Sequence, residues 1–175
     1  GADKSVVANS MSDRKATMVL FNTEPELRAA FENTDLRRAD LSMQDLRANE
    51  CPVEGAEDYM AHRTRDASFE EIIHLVHDYG IKPALPEMQD ALREIDAEAT
   101  ARGIWRGWPD DEVENHPNEY LGVINDNYLD LWTVLPTVYE GRPIEDGSVP
   151  PGHTHFGRYG ARGRTGMRAT DPKGL

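Results

Sequence analysis

The run from Arg65 to Pro83, RDASFEEIIHLVHDYGIKP, constrains the fold more than any other stretch, because it reads both as a well-bounded amphipathic helix and as a cluster of chemistry-bearing side chains. Asp66 or Ser68 can cap its start, Gly80 suits the left-handed position past its end, and Pro83 forbids continuation. A helix is therefore predicted from about residue 68 to about residue 79. At roughly 100° per residue, Phe69, Ile72, Ile73, Leu75, Val76 and Tyr79 share one broad side, and Glu70, Glu71, His74, His77 and Asp78 share the other. The apolar side needs a core. The polar side admits two readings. In one it is an ordinary wet face: Ser68-Phe69-Glu70-Glu71 fits a capping box, and acids early and histidines late suit the helix dipole. In the other, Glu70 and His74 stand at i and i+4 and reach one cation, with Glu71 beside them as a base.

With 175 residues the chain can build one domain with a proper core, and is too short for two comfortable ones. Its hydrophobic fraction of 38% is low and its Gly, Pro and charged residues are plentiful, which predicts a modest core and long surface connections. The formal net charge of −13 argues against a general nucleic-acid binder, since phosphate contacts need a basic surface, and favours cationic partners such as metal ions or basic peptides. Cys51 stands alone, so neither an internal disulfide nor a CxxC zinc site is available. No apolar run approaches the ~18 residues of a membrane span and no signal peptide is visible, so a soluble chain without a membrane partner is expected. Gly1-Ala2-Asp3 can be the start of a processed form, so secretion stays open and the compartment unassigned.

In chain order, residues 1 to 15 are polar and aperiodic and read as a flexible arm. Ala16 to Asn22 is the best strand candidate, and Pro25, Leu27, Ala30 and Phe31 predict a helix ending near Asn33. Residues 35 to 64 give no clear pattern; His62 among them reads as a lone surface histidine. Leu85 to Arg102 is an amphipathic helix with Met88, Ala91, Leu92, Ile95 and Ala99 inward, its acids Glu87, Asp90, Glu94, Asp96 and Glu98 solvated, and Gly103 as its stop. Trp105 and Trp108 can seal a core edge or line a groove, with the core favoured by their large apolar area. Pro117 starts a third helix with Tyr120, Val123, Ile124, Tyr128 and Leu131 on its apolar stripe. A hairpin is expected around Glu140-Gly141. Residues 16 to 150 are thus taken as the domain and 151 to 175 as a Gly/Arg-rich tail packed on it, its arginines neutralising the acidic body. His153 and His155 form an HxH pair without an evident third partner.

The Glu70-Glu71-x-x-His74 run resembles the active-site helix of zincin-like metallopeptidases, with EExxH in place of HExxH. The Asn118-Glu119-Tyr120 turn is similar to the element of the gluzincin branch, and of lethal-factor-type peptidases in particular, that supplies a glutamate as third ligand. The likeness spans about residues 65 to 135. It implies an α+β, mostly helical single domain with a zincin-like core and a small N-terminal β element. It further implies Zn²⁺ held by Glu70, His74 and Glu119, water in the fourth position, Glu71 as general base, and a peptide or protein substrate. His77, at i+3 from His74, is the alternative ligand to Glu70. Tyr120, Tyr128 or Tyr159 can serve as oxyanion donor, and the position one turn after Glu119, often acidic in gluzincins, is Val123 here, leaving Asp126 as the supporting acid. Two carboxylates and one imidazole cancel the charge of Zn²⁺, which weakens it as a Lewis acid. The alternative is a catalytically inactive metal- or protein-binding module of the same fold, with Arg65 in the cation's place. A carboxylate-bridged di-iron site needs two ExxH motifs, and only Glu71 to His74 supplies one.

Overall fold

The computed structural model of the protein describes residues 4–33, 42–48, 51, 68–106, 113–129, 138–139, 142–143 and 163–175. Lys4–Asp13 is a helix, α1, where a flexible arm was expected. Its anchors are few: Val7 and Met11, one turn apart, close over Gly80, and the buried Ser10 donates from Oγ to the Tyr79 carbonyl at 2.9 Å. Two apolar positions flanking a serine make too narrow a stripe to read as amphipathic. Strand β1 (Ala16–Phe21) and helix α2 (Glu24–Asn33) follow where the sequence places them, with Thr23 Oγ1 accepting from the Glu26 amide at the start of α2.

Strand β2 (Ser42–Arg47) then runs parallel to β1, in register from Ala16 opposite Ser42 to Phe21 opposite Arg47. Parallel neighbours need a crossover, and α2 lies on it. Phe21 and Leu46 are the buried side chains of this pair. Helix α3 (Ser68–Val76) packs against β2. It does not stop at Gly80: a π-turn, His77–Ile81, carries it into the short helix α4 (Lys82–Ala84), with the Lys82 amide bonded five residues back to His77 O. Gly80 is therefore not a left-handed cap. It is glycine because a Cβ there would lie 2.7 Å from Val7 Cγ1 and 3.0 Å from Met11 Cγ. Pro83 is tolerated because it falls in the first turn of α4.

Helix α5 (Pro86–Ala101) ends as predicted at Gly103, whose φ of 70° lets the Gly103 amide reach Thr100 O and the Ile104 amide reach Ala99 O. Its inward face differs from the expected one. Leu92 and Ala99 are buried, but Met88 is 44% exposed and Asp96, assigned to the wet face, is 7% exposed. A 3₁₀ turn (Val113–Asn115) leads into α6 (His116–Leu129), and the hairpin strands β3 (Val138–Tyr139) and β4 (Arg142–Pro143) pair antiparallel. Helix α7 (Gly163–Thr170) sets Met167 into the core, while Arg102 donates to Thr170 O and Lys173 pairs with Glu98.

The core joins α5, α6 and α7 through Leu92, Ala99, Ile104, Trp105, Tyr120, Val123, Ile124 and Met167. Trp105 is fully buried, its ring 6.1 Å from that of Tyr120, so it seals the core rather than lining a groove. Removing a ring of that size from water, about 150–250 Å², is worth roughly 4–6 kcal/mol of transfer free energy. The architecture is α+β and mostly helical, with a small parallel sheet near the N-terminus. Among the described residues no helix is long and apolar enough to cross a membrane. His62, Arg65, Asp66, Trp108, Leu131, His153, His155 and Tyr159 lie outside the described residues.

Candidate metal centre

Helices α3 and α6 pack directly on each other, and Gly122 leaves no room between them for a side chain. A Cβ on that residue would lie 3.0 Å from Glu70 Cγ and 3.3 Å from His74 Cε1. Because α6 comes this near, Glu119, one turn earlier on the same face, projects onto α3 and places Oε2 at 3.8 Å from His74 Nε2. Glu70 and His74 stand one above the other, as their i, i+4 spacing requires. One donor atom from each of Glu70, His74 and Glu119 thus falls within 4.8 Å of the other two. The first two residues are 2% and 4% exposed, whereas the Glu119 side chain keeps 24% of its surface.

Two carboxylates and an imidazole are a donor set that could hold a divalent cation. Bound zinc would hold such atoms about 3.4 Å apart, from metal–ligand distances of about 2.0–2.2 Å in tetrahedral geometry, so no edge of the triad would need to contract by more than about 1.4 Å. His74 Nδ1 is buried and has no hydrogen-bond partner within bonding distance among the described residues. Burial pulls the His74 imidazole towards its neutral form, but the carboxylates of Glu119, Glu70 and Glu71 outweigh it and raise its pKa above the usual value. The pocket therefore attracts positive charge, supplied by a proton or by a metal.

Glu71, assigned as the base, is half-buried beside the triad, and its Oε2 accepts a hydrogen bond of 2.7 Å from Gln44 Nε2 on β2. His77 is not among the three. Its Nδ1 lies 2.7 Å from Asn118 Oδ1 and its Nε2 2.5 Å from Gln89 Oε1, so both ring nitrogens are engaged elsewhere. His77 opens the π-turn, and its ring is held between Asn118 on α6 and Gln89 on α5. Asn118 Nδ2 in turn reaches Asp78 Oδ2 at 3.5 Å. Burial pushes the Asp78 carboxyl up, yet its hydrogen bond and charge contact with His77, together with Lys82, hold it below the usual range.

Of the tyrosines considered for an oxyanion, Tyr120 is fully buried and donates to Asp171 Oδ2 at 2.5 Å. Tyr128 lies under the Arg164 guanidinium at 4.5 Å. Val123 is fully buried in the core, and Asp126, two turns beyond Glu119, is 1% exposed. Gln44, Gln89 and Gly122 were not singled out in the sequence. For Gly122 a signal existed, because a glycine inside a helical pattern costs about 1 kcal/mol against alanine and so points to a close packing contact. Comparison with protein-family models, with curated proteins and with solved structures finds no match to this chain.

Proposed function

We propose that Glu70, His74 and Glu119 hold a zinc ion and that the chain is a divergent zincin-like metallopeptidase, hydrolysing peptide bonds with Glu71 as its base. The observation that carries this reading is the convergence of three donors from two helices within 4.8 Å around a buried imidazole. When bound, zinc supplies Lewis acidity towards a carbonyl oxygen and brings the ionisation of water near neutral pH. Glu71 then takes a proton at its carboxylate from the attacking water and delivers it to the departing amine. Gln44 steadies that carboxylate by holding Oε2. With two carboxylate ligands the ion keeps little net charge, and slow turnover is expected.

The second reading, a metal-binding module without proteolysis, draws support from burial. Glu70 and His74 are almost wholly enclosed, which suits an ion held for structure. Elemental mass spectrometry on protein purified without chelators separates these cases. Stoichiometric zinc that disappears in His74→Ala supports the centre; peptide cleavage abolished in Glu71→Gln then supports the hydrolase, and zinc without cleavage supports the module. No zinc, even after incubation with an excess, would sink both.

A further inference from the structure

We infer that His77 is the positioning residue of the metal centre: acting through Asn118, it fixes the first turn of α6 and with it the place of Glu119. The inference rests on the zinc reading of the Glu70, His74 and Glu119 cluster. Two of the three donors need no such help, because Glu70 and His74 ride on one helix and their spacing is set by helix geometry. Glu119 comes from another element, is the most exposed of the three, and is in place only if α6 docks at the right height and rotation. Gly122 permits the close approach of α6 without holding it there, since a glycine makes no directional contact.

The directional contact is one turn away. Asn118 precedes Glu119 and meets His77 Nδ1 at 2.7 Å, while its amide nitrogen reaches Asp78, the next residue of the π-turn, at 3.5 Å. Since Asn118 presents its nitrogen to Asp78, its oxygen faces His77, and His77 donates through Nδ1. The other ring nitrogen is tied to the amide of Gln89 on α5, so the imidazole, only 1% exposed, joins the π-turn, α5 and α6 at one point. The π-turn itself is pinned from outside: Ser10 donates to Tyr79 O, and Tyr79 OH donates to Met43 O on β2 at 2.8 Å. The Ser10 and Tyr79 links have a defined direction, and the Gln89 contact takes its direction from the tautomer of His77. A displaced Asn118 carries Glu119 with it.

Zinc binding is to be measured by isothermal calorimetry on the wild type, Asn118→Ala, His77→Gln, the double variant and Ile104→Val, the last a mild core change away from the centre. The expected result is stoichiometric zinc in the wild type, a 10–100-fold weaker affinity in each hub variant, as for partners that orient metal ligands. The double variant should be no weaker than the weaker single one. Ile104→Val should bind as the wild type does. Wild-type affinity in both hub variants overturns the inference while leaving the zinc site standing. Binding abolished in His77→Gln but intact in Asn118→Ala also overturns it, by making His77 a ligand. So does an equal loss in Ile104→Val, which would reduce the effect to general stability. A wild type that takes up no zinc overturns the metal reading and this inference together.

Discussion

Single side chains decide how close the two helices of the centre can come. Gly122→Ala removes a helix penalty of about 1 kcal/mol but sets a methyl group 3.0 Å from Glu70 Cγ and beside the His74 ring. We expect zinc affinity to drop at least tenfold in this variant while the metal-free melting temperature stays near that of the wild type, checked by calorimetry and circular dichroism. Asp96 offers a second test. Its burial raises the carboxyl pKa above the usual value, against the opposing influence of His116, Thr100 and Trp105. A folded-state pKa above the unfolded one means that the native chain binds this proton more tightly, so stability is highest below the unfolded pKa and falls as pH rises through the folded one. Asp96→Asn should therefore melt higher than the wild type at neutral pH, with the difference vanishing in acid. At this scale the sequence was legible for the buried Trp105, but not for α3, where Glu70 and His74 of the polar side are buried and Ile72 of the side read as core is 45% exposed. It misled where an acid on a helix was assumed to be wet: Asp96 is inward because the chain beyond Gly103 folds Trp105 back under α5.

Elements whose boundaries are written in local chemistry were the readable ones. Gly103 closes α5, Pro117 opens α6, and the run from Ala16 makes β1, each for a reason contained in a few neighbouring residues. The π-turn and β2 were not, because both exist by virtue of distant partners. Gly80 and Pro83 carry the local marks of a helix end, and only the packing of α1 shows that Gly80 is a contact instead. Strand β2 has two apolar residues, Met43 and Leu46, and owes its conformation to β1 alongside it and to the bonds from Tyr79 and to Glu71. Gly80→Ala should lower stability by about 1–3 kcal/mol through overpacking against Val7 and Met11, and speed hydrogen exchange in α1. Val7→Ala in that background should recover part of the loss, since it removes the methyl group 2.7 Å from the new Cβ. A melting temperature unchanged by Gly80→Ala would mean that α1 docks more loosely than its contacts indicate.

Over the whole chain, a formal charge of −13 and one buried and one half-buried glutamate beside an imidazole make the native state hungry for cations. Zinc at about 100 times its dissociation constant would add about 2.7 kcal/mol, which corresponds to a rise of roughly 5–10 °C in melting temperature for a chain of this size. A strong chelator should reverse the rise, and His74→Ala should never show it. The main helices and the first strand were readable from pattern, but the meeting of Glu119 with Glu70 and His74 was not; it was approached only through a resemblance, because spacing along one helix says nothing about which other helix docks on it. That division within the centre has a kinetic consequence. Glu70 and His74 are in place as soon as α3 forms, whereas the third donor arrives only with the docking of α6. A zinc ion bound by all three would be fully held only after that last step, so it should leave the refolding rate almost untouched and act by slowing escape from the native state.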